Sequence, residues 1–239
     1  IYTMDIESGS VELVSTGEGV TTCSFFKYPN DNGIIYSSTH VDNPDCPPKP
    51  DFSRGYIWKL YPGFDIFEAG LGGSNPHPLT SFPGYYAEAT YSFDGYKIIY
   101  TSLVSGDLDL CYMNPDGSGK QQLTNRLGYD GGACYNYDAS KIVWRAYYPE
   151  TEKEIADYKS LLAENSIRPM ALQIWTMNAD GSNKNQITDN GAANFGPYFY
   201  PDGYKIIFSS NMHDPRDRDF DLYSINVDGT TLERITYFE

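Results

Sequence analysis

One phrase recurs along this chain and constrains its fold more than any single residue. Tyr112-Met-Asn-Pro-Asp-Gly-Ser-Gly-Lys-Gln-Gln-Leu-Thr124 returns as Thr176-Met-Asn-Ala-Asp-Gly-Ser-Asn-Lys-Asn-Gln-Ile-Thr188 and as Ser224-Ile-Asn-Val-Asp-Gly-Thr-Thr-Leu-Glu-Arg-Ile-Thr236. Looser copies run from Glu68 to Thr80 and from Thr3 to Val14. A second phrase, Tyr91-Ser-Phe-Asp-Gly-Tyr-Lys-Ile-Ile-Tyr100, returns at Phe199 to Phe208 and in degenerate form at Tyr135 to Trp144. Leu79 to Asp94, Leu123 to Asp138 and Ile187 to Asp202 are each 15 positions apart, and Leu79 to Leu123 is 44. That period suits units of four strands arranged about an axis. Both phrases turn at Asp-Gly between alternating runs, where glycine takes positive φ without a Cβ clash and closes a hairpin. Each hairpin leaves an apolar face that only a neighbour can cover, so the units stack radially. The predicted fold is all-β: a β-propeller of four-stranded antiparallel blades.

The phase of the repeats predicts one domain over 1–239, with a half-blade at 1–14 and whole units at 20–80, 85–124, 129–188 and 193–236. About four and a half blades are then present, and the count predicts that ring closure takes residues outside these 239. Two insertions break the period. Residues 39–63 are Pro-rich and carry Trp58 and Tyr61; residues 147–171 carry the one predicted helix. Thr151-Glu-Lys-Glu154 has the form of a capping box. Ile155, Tyr158, Leu161 and Leu162 share one helical face, and Asn165 with Arg168-Pro169 supplies the stop. That face packs on the blades or meets a partner, so Trp58, Tyr61 and Tyr158 are the partner-contact candidates.

Net charge of −15 excludes a nucleic-acid partner, because phosphate binding needs clustered Lys and Arg. No apolar run approaches the ~20 residues of a membrane helix, so membrane insertion is not expected. Four cysteines are few for a disulfide framework, and no CxxC pair gives zinc-ligand spacing. Cys23 and Cys46 are the disulfide candidates. A bridge between them, implying an oxidising compartment, and a pair of free thiols stand as equal readings. Cys111 takes the place of Phe67, Trp175 and Tyr223 in sister copies, which suits a packed free thiol.

The phrases resemble the TolB-like β-propeller repeat family, whose repeat has the shape F-S-x-D-G-x-x-I-x-F-x-S followed by (D/E)-(I/L)-(Y/W)-x-M-(N/D)-x-D-G-(S/T)-x-x-x-x-L-T. Tyr91 to Ser102 with Asp109 to Thr124 carries the resemblance, as does Phe199 to Ser210 with Asp221 to Thr236, and it extends over essentially the whole chain. Thr21-Thr-Cys23, Cys46-Pro-Pro-Lys-Pro50, Gly128-Tyr-Asp-Gly-Gly132 and the helical insertion are similar to a secreted or periplasmic bacterial subgroup of unassigned activity. Two departures affect turn geometry: Ala139 replaces the turn glycine after Asp138, and Tyr28 to Gly33 is four residues longer than its sisters. The resemblance implies a six-bladed ring and a periplasmic or extracellular location. It also implies roles as protein-binding modules, as gating domains ahead of peptidases, or as parts of assemblies. Fold analogy alone does not fix the chemistry.

Catalytic constellations are missing from the sequence. There is no Gly-x-Ser-x-Gly elbow, and His40, His77 and His213 share neither repeat position nor helical spacing. The expectation is a non-enzyme without a cofactor, binding a protein partner or sister subunits. Asp107 with Asp109, and Asp217 and Asp219 with Asp221, alternate along strands and are candidate calcium ligands. The same aspartates also suit a repeat-defining hydrogen bond, since Asp65 shares their phase. Counting back from the turn aspartates places Tyr86, Glu88, Asp130 and Asn194 at the entry to the innermost strands. These are the predicted channel-mouth residues, with Gly132 and Gly196 beside them.

Overall fold

The structure, a computed structural model, describes residues 1–48, 50–81, 83–169, 171–214 and 219–237. An N-terminal hairpin pairs β1 (Tyr2–Met4) with β2 (Val11–Leu13). The first full blade comprises β3 (Thr21–Phe26), β4 (Gly33–Ser38), β6 (Asp65–Gly70) and β7 (His77–Pro78), with the short β5 (Trp58–Lys59) lying outside it. The second comprises β8 (Tyr86–Tyr91), β9 (Ile98–Ser102), β10 (Asp109–Met113) and β11 (Gln121–Gln122). In the third, β12 (Tyr129–Tyr135) and β13 (Lys141–Tyr147) are followed by α1 (Glu152–Ala163) and β14 (Ser166–Ile167), before β15 (Gln173–Asn178) and β16 (Asn185–Gln186) complete the sheet. The fourth comprises β17 (Asn194–Phe199), β18 (Lys205–Ser210), β19 (Asp221–Asn226) and β20 (Glu233–Arg234). All pairings within the blades are antiparallel, and β3, β8, β12 and β17 lie side by side as the innermost strands.

Strands β4 and β9 are buried along their whole length, which explains why their sequences, Gly-Ile-Ile-Tyr-Ser-Ser and Ile-Ile-Tyr-Thr-Ser, are near-continuous apolar runs. Trp144 fills the corresponding place in β13 and is fully buried. Consecutive blades are stitched at the same phase. Tyr86 N donates to Phe64 O at 2.9 Å, Asp130 N to Leu108 O at 2.9 Å and Asn194 N to Leu172 O at 3.2 Å. The Leu-Thr and Ile-Thr endings are clasps for outer strands only two residues long. Ile66 N, Leu110 N, Ile174 N and Leu222 N each donate to the hydroxyl of Thr80, Thr124, Thr188 or Thr236 at 2.8–2.9 Å. Each hydroxyl in turn donates to Asp65, Asp109, Gln173 or Asp221, 15 residues earlier.

Helix α1 begins with the reciprocal capping box: Glu154 N donates to Thr151 Oγ1 at 3.2 Å, and Thr151 N to Glu154 Oε2 at 2.9 Å. Asn165, at φ +51°, turns the chain out of it. The two insertions meet. Ser166 pairs with Lys59 and Ile167 with Trp58, and Arg54 bridges Asp157 and Glu164. Leu60, Tyr158, Ile167 and Leu172 then pack with Leu108 and Tyr129 as one cluster, so the inserted segments form a roof on the blades. Ala139 holds φ +56° where sister turns carry glycine, at a cost of about 1 kcal/mol. No helix among the described residues is long and apolar enough to cross a membrane.

Candidate functional site

Every innermost strand carries a bulge at the same phase. The register shifts between Thr22 and Phe25, Ala87 and Thr90, Gly131 and Cys134, and Phe195 and Tyr198. The bulged residue takes left-handed φ in each: Cys23 +50°, Glu88 +57°, Gly132 +59° and Gly196 +55°. Glycine occupies that conformation freely, whereas a residue with a Cβ pays on the order of 1–3 kcal/mol. Glu88 and Cys23 are therefore the two strained members of this set of four, and they line the same cavity.

Glu88 is gripped by four donors. Its Oε2 accepts from Tyr129 OH at 2.9 Å, Gly132 N at 2.9 Å and Thr101 Oγ1 at 3.1 Å. Its Oε1 pairs with Arg145 Nη2. Arg145 grows from β13, the second strand of its blade, and must cross the innermost strand to reach Glu88. Gly131 and Gly132 leave that path open. A Cβ on Gly131 would lie 2.2 Å from Tyr129 OH and 2.3 Å from Glu88 Oε2, and one on Gly132 would lie 2.3 Å from Arg145 Nη1. The Gly128 to Gly132 segment is thus a seat for the ion pair.

The rings of Trp58, Tyr129 and Phe195 surround the guanidinium, 5.6, 5.7 and 5.7 Å from its carbon. Burial pulls the Arg145 pKa down, but the Glu88 carboxylate and the Tyr129 phenol outweigh it, and the group is held firmly cationic. Burial raises Tyr129 well above the usual phenol range, so it remains a donor to Glu88. Arg145 Nη2 serves Glu88 and, at 2.9 Å, Tyr129 OH, while among the described residues Nη1 makes no hydrogen bond and the buried Nε has no partner.

Above the pair lies a cavity of about 530 Å³, walled by Trp58, Tyr61, Phe64, Tyr85 and Tyr129 and by Cys23, and roofed by the first insertion. Below it a second space of about 290 Å³ runs along the inner strands past Gly132 and Gly196, and Cys23, Glu88 and Arg145 belong to both. The ion pair thus stands between the two spaces and lines both. Enclosure by the walls, then the Glu88 charge, pushes the Cys23 thiol up to about 11 although water reaches it from the cavity. A thiol protonated at neutral pH is a weak nucleophile.

Of the four residues predicted at the channel mouth, Glu88 alone lines either space. Tyr86 packs on Tyr100 between blades. Asn194 is fully buried, with its Nδ2 on Leu172 O at 2.7 Å. Asp130 is also fully buried, with Oδ1 accepting from Trp144 Nε1 and Tyr148 OH at 2.6 Å each. Strand alternation would put residues 86 and 88 on one face, but the extra residue of the bulge breaks the alternation. Burial pushes the Asp130 carboxyl up to about 7, and its Oδ2 has no partner.

Trp58 and Tyr61 line the cavity. Tyr158 is interior rather than partner-facing: it is 4% exposed, and its hydroxyl donates to Asp107 Oδ1 at 2.5 Å or Gly128 O at 2.6 Å. Cys23 and Cys46 are separate thiols rather than a bridge, Cys23 on the bulge of β3 and Cys46 exposed with its thiol on its neighbour's carbonyl, Pro47 O. Cys111 is a half-buried free thiol.

The calcium candidates are engaged by protein donors. Asp107 accepts from Tyr158 OH and Gly128 N, Asp109 from Ser105 and Gln122, and Asp221 from Arg234 and Thr236. Asp219 is exposed, and Asp217 lies outside the described residues. Among the described residues no three His, Cys, Asp or Glu side chains converge on a point that could hold a metal.

Arg145 was not singled out from the sequence, although a signal existed. Its register partners in the other blades are Ser37, Thr101 and Ser209, so a cation stands where three hydroxyls stand elsewhere.

No family model matches the chain. A curated relative, an uncharacterised protein of Agrobacterium fabrum, is 35% identical over 75 residues, 30% of this chain and 26% of that one. Among solved structures, TolB from Acinetobacter baumannii superposes with a TM-score of 0.67 at 16% identity, over 95% of this chain and 46% of that chain. A TolB candidate from Agrobacterium tumefaciens gives 0.57 at 20% identity, over 97% and 86%. A puromycin hydrolase gives 0.60 at 10% identity, over 95% and 30%. The chain thus spans about half of the Acinetobacter structure and about a quarter of the curated relative. At these identities the likeness shows the fold, a TolB-like propeller.

Proposed function

We propose that this TolB-like propeller domain is a non-catalytic binding and assembly scaffold, periplasmic or extracellular, which takes a protein partner or a sister subunit at the roofed mouth of its channel. The observation that carries this reading is the Glu88–Arg145 pair. Strain, a buried cation and two glycines are spent on holding charged groups fixed beneath aromatic walls, the arrangement of a recognition site set on rigid strands. The charged groups there serve one another, and the adjacent thiol is held protonated. Aromatic side chains such as Trp58 and Tyr61 suit a contact surface. The test is cross-linking and sizing of the native protein against its Trp58→Ala and Tyr61→Ala variants. A partner or self-association that both variants weaken supports the reading. Complete indifference to both substitutions refutes it.

A second reading has its own support. The superposition on a puromycin hydrolase covers 95% of this chain and 30% of that chain, which suits a propeller that gates access to a hydrolase domain. Coding sequence on either side of these residues decides this. An appended hydrolase domain favours gating, and its absence favours the scaffold.

A further inference from the structure

The roofed cavity is built for one kind of chemical group. Among the described residues Arg145 Nη1 makes no hydrogen bond, while Nη2 is tied to Glu88 and Tyr129 and Nε is sealed within the protein. An acceptor arriving at Nη1 gains a charge-assisted hydrogen bond to a guanidinium that the ion pair already holds in place. The cavity also inverts the charge of the molecule. Its wall carries Lys59, whose Nζ donates to Glu164 O, and Arg145 against Glu88, a local excess of one cation in a chain of net charge −15. One surplus charge suits a monoanion. A dianion such as a phosphate ester would meet the Glu88 carboxylate beside too few cations.

The rest of the wall is aromatic, with Trp58, Tyr61, Phe64 and Tyr85 around a volume of about 530 Å³. That is room for one aromatic ring with its attached acid group, within the range of ordinary ligand pockets. The departures from the repeat agree. Glu88 replaces the glycine of its later sister blades, Arg145 replaces a hydroxyl, and Gly131-Gly132 clears the space between them.

We infer that this cavity binds a carboxylate carried on an aromatic body, with the acid on Arg145 and the ring among the roof residues, and that the end of a partner's polypeptide chain is one source of it and a free aryl acid the other. This rests on the binding-module reading above and names the group that such a module would take.

The experiment titrates the full chain, by calorimetry and by the fluorescence of Trp58 in the wall, with N-acetyl-Ala-Phe as free acid, the same peptide as C-terminal amide, and 3-phenylpropanoate. The expected result is binding of the acid and at least tenfold weaker binding of the amide. Glu88→Gln with Arg145→Gln, a double change that leaves no unpaired charge, should abolish the difference between acid and amide. Trp58→Ala should weaken both peptides, and as a change in the roof it leaves the ion pair intact. Equal affinity of phenylpropanoate and peptide identifies a free aryl acid as sufficient, while preference for the peptide identifies a chain end. Equal binding of acid and amide, or no binding of either at millimolar concentration, overturns the inference. Partner capture that survives the double change also sinks it while leaving the scaffold in place. Acid binding by a protein that captures no partner does the reverse.

Discussion

Replacing Asp130 with asparagine should change how stability depends on pH, by an amount the structure sets. The Asp130 carboxyl is fully buried, takes hydrogen bonds from Trp144 and Tyr148 on Oδ1, and has no partner at Oδ2. Burial raises it from an ordinary 3.8 to about 7. The native state therefore holds this proton more tightly than the unfolded chain does. Its contribution to stability is complete below about pH 4 and is lost as pH climbs through 7. A shift of roughly three units at about 1.4 kcal/mol each gives a loss on the order of 4 kcal/mol. Asparagine cannot ionise, and the fold already accepts it at this register. Asn194 occupies the matching place in the fourth blade, with its amide on Leu172 O, the counterpart of Leu108 O. Urea unfolding of both proteins from pH 4 to pH 8 tests this. The stability of Asp130→Asn relative to the parent should rise by about 1.4 kcal/mol per pH unit from about pH 4 to 7 and then level off. Other carboxylates titrate alike in the two proteins and cancel in the difference. A difference that stays flat with pH would show that Asp130 is not a buried acid of raised pKa.

Gly132→Ala should cost clearly more than Gly196→Ala. Both positions sit at positive φ, but only the Gly132 Cβ meets a neighbour, Arg145 Nη1 at 2.3 Å, so denaturant midpoints should indicate about 1 kcal/mol for Gly196→Ala and 2 kcal/mol or more for Gly132→Ala. Thr151→Ala removes the cap of α1 and should destabilise by about 1 kcal/mol, read by urea titration. Tyr158→Phe strips a buried donor from Asp107 and Gly128 O and should cost about 1–3 kcal/mol, read the same way. Alkylation of Cys23 by iodoacetamide, located by peptide mass, should accelerate close to tenfold per pH unit up to about pH 11, because that is where its thiol ionises.

The site shows where the sequence could be read and where it could not. Glu88 was reached by counting back from its turn aspartate, which also set Gly132 and Gly196 beside it as the matching residues of the two blades that follow. Arg145 carries a signal of its own, a cation where the matching strands have hydroxyls, but alternation along a strand does not tell that its side chain crosses to the neighbouring blade. Tyr86, Asp130 and Asn194 came from the same counting, and counting assumes unbroken alternation. The bulge that reverses their direction has no reliable local signature when its residue is glutamate or cysteine instead of glycine.

Blade architecture followed from the chain alone because hairpin turns, clasp threonines and buried central strands are local patterns repeated at a fixed spacing. The meeting of Trp58 with Ile167 across more than a hundred residues, and of Glu88 with Arg145 across 57, was decided by tertiary structure. Nothing local encodes which insertion lies over which blade. That depends on the radial packing that turns distant segments of sequence into neighbours at the axis, where apolar burial and pairing of charge select a single arrangement.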